Sequence, residues 1–213
     1  MYYYLVDTTA LIGDLLYGKI KRNKLLNEGY NMKKFEEITL HTEPIFDGKV
    51  VKLQVDDVKL PNGKTSKREI IKHPGAVAVI AITDENKIVF VEQYRKPLEK
   101  SLVEIPAGKI DPGESPLVAG VRELEEETGY TTNELNFVTS FYTSPGFADE
   151  LIHIYITDGI TKLDKPKATD DDEFVEVMEL TLKEAKQLVA EERIQDAKTN
   201  YAILYLHALE RRE

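Results

Sequence analysis

The sequence feature that most constrains the fold is a run of glutamates inside a segment with clear helix-start and helix-stop signals. Ser115 is a favourable N-cap residue, Pro116 suits the first helical position, and Gly129 suits a left-handed C-terminal cap. These signals predict a helix from Pro116 to Thr128. Gly120 lies inside the predicted helix, where glycine lowers helix stability by about 1 kcal/mol relative to alanine. We interpret its presence as a sign that the helix packs closely against a sheet.

The four glutamates of this segment are not spread evenly around the predicted helix. Because a helix turns by about 100° per residue, positions three and four apart share a face. Glu123, Glu126 and Glu127 therefore project together, whereas Glu125 points elsewhere. Three carboxylates on one face repel one another unless a cation neutralises them. Oxygen ligands without Cys or a His cluster favour Mg²⁺ or Mn²⁺ over zinc; a solvated acidic helix face is the alternative interpretation.

Strand-like segments surround this helix. The region from Ile38 to His73 resembles antiparallel strands on either side of the turn signal Pro61-Asn62-Gly63. Residues 76–82 are apolar throughout, as in a central strand that is covered on both faces. Further predicted elements are strands at 87–94, 102–105, 135–142, 151–157 and 174–180, an irregular loop from 106 through 113, a solvated loop at 162–173, and helices at 182–192 and 197–211, the last capped by Asp196. The pattern predicts an α/β (α+β) protein with a mixed sheet.

Charge and composition exclude several classes of function. The chain has 38 acidic and 28 basic residues and a net charge of -10, so we expect no nucleic-acid or membrane surface, because such surfaces need an excess of Lys and Arg. It has no cysteine, which excludes disulfides and a cysteine nucleophile and fits a reducing cytoplasm. No stretch approaches the roughly 20 apolar residues of a membrane helix. A small anionic substrate would need a metal ion or a few local arginines.

The chain divides into three predicted regions. Residues 1–31 make a poor signal peptide, because Asp7 and Asp14 interrupt their apolar residues and no basic residue precedes these. The composition shifts near Met32, where the sequence resembles a fresh protein start, so we interpret 1–31 as an upstream extension, with an amphipathic docking helix as the alternative. Residues 32–73 form the antiparallel strand module, and 74–213 form the main domain.

The helix and the loop before it resemble one specific signature. Five residues separate Gly108 from Glu114, seven more precede Arg122-Glu123-Leu124, and Glu125, Glu126-Glu127, Thr128, Gly129 and Tyr130 follow. This spacing resembles the Nudix box, a loop, helix and loop, with every fixed position filled. Tyr130 stands in place of the usual aliphatic residue, a departure that we expect to affect packing only. Over roughly residues 33–211 the chain resembles that family, in which Arg122 and Glu114 would hold loop and helix in shape.

The resemblance implies an α/β/α sandwich around a mixed sheet, preceded by the antiparallel strand module. It also implies hydrolysis of a nucleoside diphosphate linked to a second moiety. By the family's pattern Glu123 and Glu127 would be the principal ligands of Mg²⁺, with Mn²⁺ as a possible substitute. Glu126 would assist them, and the backbone carbonyl of Ala107 would complete the site. Metal ions that bridge phosphoryl oxygens neutralise developing charge and generate hydroxide.

The substrate must be identified outside the box, because several lineages share it. In ADP-ribose pyrophosphatases a proline commonly follows the last glycine of the box, and here Pro145 lies 16 residues beyond Gly129. The segments 142–150 and 104–108 also resemble bacterial members of that group. The resemblance therefore implies hydrolysis of ADP-ribose to AMP and ribose 5-phosphate. Without the family, Ser144-Pro145-Gly146 is merely a turn between strands.

The same resemblance indicates the general base. Glu150 ends the loop just before a predicted strand, where a carboxylate could deprotonate the attacking water. Pairing with an arginine alone is the alternative interpretation of Glu150, and Glu126 is the second candidate for a catalytic carboxylate. The four histidines are too scattered for a metal cluster, and we assign them no catalytic role.

Four further residues are predicted to bind substrate. Arg95 resembles the arginine that contacts the diphosphate, a task that suits a bidentate guanidinium. Glu104 is also predicted to bind substrate. Arg68 and Glu69 resemble the pair that meets the adenine and the terminal ribose, often from the partner subunit. An exposed ion pair on a strand is their alternative interpretation.

The resemblance also implies an oligomeric state. Members of this group are typically homodimers whose N-terminal module crosses to the partner, so we expect a homodimer with composite active sites. Another Nudix substrate, such as a different nucleotide sugar, a dinucleotide or a flavin nucleotide, is the nearest alternative. A non-catalytic Nudix-like ligand-binding module is another, although such domains tend to lose the glutamates of the box. The isoprenoid isomerase that shares the fold needs a cysteine, which this chain lacks.

Overall fold

A computed structural model describes residues 32–165 and 174–210. The predicted extension at 1–31 and most of the predicted loop at 162–173 lie outside these ranges. The described residues fall into two compact units, one made of 32–45 and Gln54–Glu69 and the other of Phe46–Leu53 with the residues from Ile70 onward. No helix in the described ranges is long and apolar enough to cross a membrane.

The structure contains twelve strands and three α-helices within these ranges. The strands are β1 (Ile38–Asp47), β2 (Lys52–Lys59), β3 (Thr65–Lys72), β4 (Ala76–Ala81), β5 (Ile88–Arg95), β6 (Lys100–Glu104), β7 (Ala107–Lys109), β8 (Tyr130–Thr132), β9 (Asn136–Tyr142), β10 (Leu151–Thr157), β11 (Ile160–Lys162) and β12 (Val175–Leu180). The helices are α1 (Pro116–Thr128), α2 (Leu182–Ala190) and α3 (Ala197–Glu210), with 3-10 turns at Met32–Phe35 and Lys96–Leu98.

The first three strands form a sheet in the order β1-β2-β3. The predicted turn closes the β2–β3 hairpin, where the Leu60 N–H donates to the Lys64 carbonyl (2.8 Å) and the Gly63 N–H donates to the Leu60 carbonyl (2.9 Å). A connection this short allows only an antiparallel pair. Strand β1 lies at the edge of the sheet and is exposed at every position.

The central sheet is mixed, as the sequence predicts. Its order is β7-β4-β10-β9, in which β4 and β10 are parallel and the other pairs are antiparallel. The register places Ala76 opposite Ile152 and Ala81 opposite Thr157. A second sheet, β12-β5-β6, is antiparallel. Every residue of β4 is buried, which explains its unbroken apolar sequence, because a strand covered on both faces has no solvent side.

Helices cover both faces of the central sheet. Because side chains alternate along a strand, β4 contributes to two separate apolar cores. Val77, Val79 and Ala81 pack in one core with Ala119 and Leu124 of α1. The other core contains the alternate β4 residues Ala76, Ala78 and Ile80. They pack there with Leu182 and Ala185 of α2 and with Ala202, Ile203 and Leu206 of α3. The predicted α/β/α sandwich is therefore confirmed.

Helix α1 begins and ends where its capping signals predict. The Ser115 hydroxyl accepts a hydrogen bond from the Val118 N–H (3.3 Å). Gly129 is left-handed (φ 70°), and its N–H donates to the Glu125 carbonyl (3.1 Å). The cap predicted for α3 is also present, since the Asp196 carboxylate accepts from a backbone N–H in the first turn (3.1 Å).

Gly120 has the packing role that its position in the helix suggests. A Cβ at this position would lie 2.9 Å from Cδ1 of Leu135 and 3.3 Å from Cγ2 of Val77. A larger residue here would push Leu135 and Val77 away from α1, so the close packing of the helix offsets the propensity cost of the glycine.

Three short strands were not predicted. Ala107–Lys109 forms β7 and pairs with β4, so the predicted irregular loop is wrong over its first residues. Strands β8 and β11 pair with each other, and three-residue strands are too short to show a periodic pattern. The prediction that Tyr130 affects only packing is also wrong. Its hydroxyl donates to Oε1 of Glu179 (2.5 Å), a hydrogen bond that raises the pKa of Tyr130 to about 12.

A buried charge cluster holds α3 against the β5–β6 pair. Glu104 is only 2% exposed and accepts bidentate hydrogen bonds from Nε and Nη2 of Arg95, both 2.7 Å. Lys198 of α3 also donates to Glu104, and to Asp196 at 2.9 Å. Burial tends to raise the pKa of the Glu104 carboxyl, but the Arg95 hydrogen bonds and the positive charges of Lys198 and Arg95 outweigh it and lower that pKa.

This cluster predicts a pH-dependent loss of stability in Glu104→Gln. The variant leaves the buried Lys198 and the partly exposed Arg95 without their carboxylate, so its free energy of unfolding at pH 7 should fall by about 3 kcal/mol. A carboxyl whose folded pKa is depressed stabilises the fold above its unfolded pKa of about 4.3, and this stability is lost as the pH falls through the folded pKa. Urea unfolding at pH 7, 5 and 3.5 should therefore show a difference that shrinks at the lowest pH.

Glu92→Gln is the matched control for this experiment. Glu92 pairs with Arg193 at 2.5 Å, but both side chains are partly exposed, so its loss should cost no more than about 1 kcal/mol. A Glu104→Gln penalty that stays constant from pH 7 to 3.5 would contradict the assigned charge interaction.

Candidate active site

A cavity of about 690 Å³ lies where the amino ends of β4 and β10 meet α1 and the start of α3. Six of the nine site residues predicted from the sequence line it: Arg95, Ala107, Glu123, Glu126, Glu127 and Glu150. The cavity therefore collects residues from a helix, two strands and a loop that are far apart in the sequence. Its size falls in the range of roughly 300–1,000 Å³ typical of small-molecule sites.

Helix α1 supplies an acidic wall. Glu123 and Glu127 are buried and Glu126 is half-buried, all three facing the cavity. The Ala107 N–H donates to Oε2 of Glu127 (2.9 Å). A Cβ on Gly108 would overlap the carboxylate of Glu123. The glycine thus lets the backbone of β7 lie directly against the two buried carboxylates.

Arg122 joins the preceding loop to this helix, as the resemblance implies. Its Nε and Nη2 each donate to the carboxylate of Glu114 at 3.0 Å, and Nη2 also donates to the Lys109 carbonyl at 2.9 Å. Its Nη1 donates to Glu123 (2.8 Å) and to Glu126 (3.0 Å). These contacts raise the pKa of Arg122 and lower the pKa of Glu114.

The contacts of Arg122 revise one step of the sequence argument. The clustered glutamates led us to infer a divalent ion as the neutralising charge. In the structure a guanidinium already lies between Glu123 and Glu126 and offsets part of their repulsion. The acidic face therefore does not by itself require a metal.

The donor set nevertheless fits a hard cation. In the ranges that the structure describes, no three Asp, Glu or His side chains are already gathered around one point as a metal site. The carboxylates of Glu123, Glu126 and Glu127 share the cavity with the β7 backbone, and an all-oxygen donor set suits Mg²⁺. Coordination would require Glu123 and Glu126 to exchange contacts with Arg122 for contacts with the ion.

Two basic residues also line the cavity. Arg95 and Lys198 both line it, and both are anchored from behind by Glu104. Glu104 itself is buried and does not line the cavity, so its described contacts orient the two cations. Lys198 was missed in the sequence because no motif marks it. The one available signal was its place two residues after the predicted helix cap, Asp196.

Glu150 faces the cavity from the loop that precedes β10. Its Oε2 accepts a hydrogen bond from the Thr143 hydroxyl, and its Oε1 lies 3.7 Å from Nε2 of His73. In the described part of the chain its contacts are thus with a hydroxyl and an imidazole. The alternative in which Glu150 only pairs with an arginine is wrong. His73 also lines the cavity, a placement that the scattered positions of the histidines gave no reason to expect.

Arg68 and Glu69 belong to the other compact unit, at the middle of β3. Arg68 forms bidentate hydrogen bonds with Glu37, at 2.8 Å from Nε and 2.6 Å from Nη2. Glu69 is exposed. The substrate contacts of these two residues stay predictions.

Comparison with known proteins extends this picture. A family model described as the NUDIX domain matches residues 72–201, more than half of the chain. The chain is 64% identical over 178 residues to a methanol dehydrogenase activator of Bacillus methanolicus, covering 84% of this chain and 96% of that protein. It is 58% identical over 179 residues to an ADP-ribose pyrophosphatase of Bacillus subtilis (strain 168), covering 84% and 97%.

A solved structure shares the fold. The crystal structure of an ADP compounds hydrolase superposes with a TM-score of 0.72 at 21% sequence identity, covering 82% of this chain and 94% of that one. At this identity the likeness concerns the fold alone. Because the domain match covers most of the sandwich and includes the complete glutamate helix with its preceding loop, the chain belongs to the Nudix family.

Proposed function

We propose that the protein hydrolyses the pyrophosphate bond of ADP-ribose, with Mg²⁺, to give AMP and ribose 5-phosphate. The observation that carries this proposal is the charge arrangement of the cavity. Three glutamates and the basic side chains of Arg95 and Lys198 line one space. A diphosphate can use both sets of residues, since its oxygens bind metal ions as well as basic side chains. The choice of ADP-ribose rests on the Bacillus subtilis relative.

Each residue has a defined part in this reaction. Mg²⁺, or Mn²⁺ in its place, would be held by Glu123, Glu127, Glu126 and the Ala107 carbonyl, and when bound it neutralises phosphoryl charge and acidifies a bound water. Arg95 binds the diphosphate and is kept in place by its bidentate contact with Glu104.

Glu150 accepts the proton of the attacking water. A new bond forms between the water oxygen and phosphorus while the bond from phosphorus to the bridging oxygen breaks. The support for this role is the position of the carboxylate in the cavity together with its anchoring by Thr143. A base must lie within reach of the proton that it removes.

We further propose a cytoplasmic homodimer that forms through the module of residues 32–73, with 74–213 as the Nudix domain. Strand β1 is a ten-residue edge strand exposed at every position. Its Ile38, Leu40 and Ile45 are 55%, 56% and 51% exposed. Long apolar edge strands are usually covered in native proteins. In such a dimer Arg68 and Glu69 would contact the adenine and ribose bound by the partner.

A second candidate function is activation of a methanol dehydrogenase. It is favoured by one observation, the 64% identity to the activator of Bacillus methanolicus over 96% of that protein's length. The two functions are separable by experiment. A rise in the turnover of purified methanol dehydrogenase on addition of this protein would support the second, and ADP-ribose hydrolysis by this protein alone would support the first.

The proposed function makes a prediction about metal and substrate. ADP-ribose should be hydrolysed with Mg²⁺ and not in excess EDTA, because the glutamate wall needs a cation to bind a diphosphate. Mg²⁺ should also raise the thermal midpoint, since a ligand that binds only the folded state stabilises it. Product release should be measured alongside other nucleotide sugars, a dinucleotide and a flavin nucleotide. Full activity in EDTA, or a much higher kcat/KM for another compound, would overturn the metal or substrate assignment respectively.

The next prediction separates the metal ligand from the base. Glu127→Gln removes charge from the metal site, so Mg²⁺ affinity should fall and added Mg²⁺ should restore part of the rate. Glu150→Gln should leave metal and substrate affinity intact and lower kcat by about 10²–10⁴-fold, without rescue by Mg²⁺. Magnesium titrations and kcat for both variants test the pair.

Glu125→Gln provides a control on the same helix. Glu125 lies off the cavity and accepts a hydrogen bond from Thr131 (2.6 Å), so its variant should keep both kcat and Mg²⁺ affinity. If Glu150→Gln also behaves like wild type, the base must be sought at Glu126 or at another loop carboxylate.

The dimer proposal predicts a monomer when β1 is made charged. Leu40→Glu places a carboxylate in the proposed interface, and the molar mass measured by light scattering should fall from two chains to one. Leu204→Glu is the matched control, because Leu204 is 68% exposed on α3. A wild-type monomer, or an unchanged mass for Leu40→Glu, would contradict the assigned interface.

A further inference from the structure

His73 occupies a defined position between the backbone and Glu150. It directly follows β3, lines the cavity, and its side chain is only 11% exposed. Its Nδ1 accepts a hydrogen bond from the Gly75 N–H (3.1 Å). The ring hydrogen of the neutral imidazole is then on Nε2, which is the atom that faces Glu150 Oε1 at 3.7 Å.

The backbone around His73 fixes the direction of the ring. Gly75 has φ +97°, a left-handed conformation that residues other than glycine rarely adopt. With this conformation the chain turns so that the Gly75 N–H points at the ring of His73, two residues earlier. The local backbone therefore gives the imidazole one orienting contact in addition to the one with Glu150.

The chain segment that carries His73 is joined to the loop that carries Glu150. The His73 N–H donates to Oδ1 of Asp149 (2.8 Å), and Lys72 pairs with the other oxygen of Asp149. Two backbone hydrogen bonds connect the same segments, from Ile71 N–H to the Phe147 carbonyl (2.7 Å) and from the Asp149 N–H to the Ile71 carbonyl (3.2 Å). These four contacts hold the two segments side by side and keep the imidazole near the carboxylate.

The hydrogen-bond pattern restricts what His73 can do. Its Nδ1 lone pair is used by Gly75 and its Nε2 carries the hydrogen, so the neutral ring has no lone pair with which to take a proton from water or to bind a metal ion. What it can offer is an N–H donor. The Glu150 carboxylate lies across from that donor, and its other oxygen is held by Thr143.

We propose that His73 is a positioning residue that holds the Glu150 carboxylate toward the attacking water, an inference that rests on the role proposed for Glu150 above. The distance of 3.7 Å exceeds a hydrogen bond, but catalytic hydrogen bonds are often long in the free enzyme and shorten in the substrate complex. With Thr143 on one oxygen and His73 on the other, the carboxylate keeps one orientation. Residues that orient a functional side chain in this way are typically needed for full activity.

A double-mutant cycle on kcat for ADP-ribose tests this inference. His73→Ala should lower kcat by roughly 10–100-fold, with KM and the Mg²⁺ half-saturation unchanged. His73→Gln keeps an N–H donor of similar reach and should restore most of the loss. In the Glu150→Gln background, His73→Ala should have little further effect, because a residue that acts only through Glu150 has nothing left to orient.

The controls separate a positioning role from a structural one. His207 lies away from the cavity, and its ring contacts Lys186. The control variant His207→Gln should therefore leave kcat unchanged. Thermal midpoints of all variants show whether a rate loss reflects unfolding. If the thermal midpoint of His73→Ala is lowered, the kcat of His73→Gln is the deciding measurement. A His73→Gln enzyme that folds normally but is as slow as His73→Ala would overturn the inference.

The cycle also distinguishes failure of this inference from failure of the proposed function. If the fold-loss of kcat in the double variant equals the product of the losses in the two single variants, the role of His73 is overturned and Glu150 remains the base. A Glu150→Gln enzyme with near-wild-type kcat would remove the base assignment, and the positioning role of His73 would fall with it. If the wild-type protein does not hydrolyse ADP-ribose, the proposed function itself is overturned.

Discussion

The site depends first on the guanidinium of Arg122. It joins the loop before α1, through Glu114 and the Lys109 carbonyl, to Glu123 and Glu126 on the helix. A planar fork with five N–H donors can serve several acceptors in fixed directions, which a lysine ammonium cannot do. Without this charge, the glutamates would repel one another and the loop before α1 would lose its hydrogen bonds to the helix through Arg122. The glutamate helix and its loop are therefore one structural unit, which explains why their residues occur at fixed spacing in the sequence.

The second constraint concerns the positive charges inside the same cavity. Arg95 and Lys198 line it together with the glutamates of α1. Glu104 anchors both cations, because it is buried and binds each of them. The bidentate geometry of the Arg95 contact gives that guanidinium a fixed direction. A chain with net charge -10 can thus present positive charge to a diphosphate without a basic surface.

Local signals predicted much of this fold, and long-range contacts account for what they missed. The α1 boundaries follow from Ser115 and Gly129, which act within one turn of the helix. The position of β4 follows from its apolar run, because burial on both faces leaves a continuous trace in the sequence. By contrast, the roles of His73 and Lys198 come from residues 77 and 94 positions away along the chain, Glu150 and Glu104. No local pattern records such a contact, and the three-residue strands are too short to show a period.

The parts of the site differ in how firmly the fold holds them, and this difference suggests which part moves during catalysis. The glutamates of α1 stand on a helix packed into the core, and Arg95 ends a central strand of its sheet. Glu150 instead follows a turn in which the N–H groups of Phe147 and Ala148 donate to the Ser144 carbonyl. Pro145, Gly146 and Phe147 are exposed at its tip. Groups that bind charge are most effective when they are pre-organised, whereas a proton acceptor can be brought in by a loop. We therefore expect substrate-linked motion to concentrate between Thr143 and Glu150, with the contacts to the His73 segment limiting how far the carboxylate can travel.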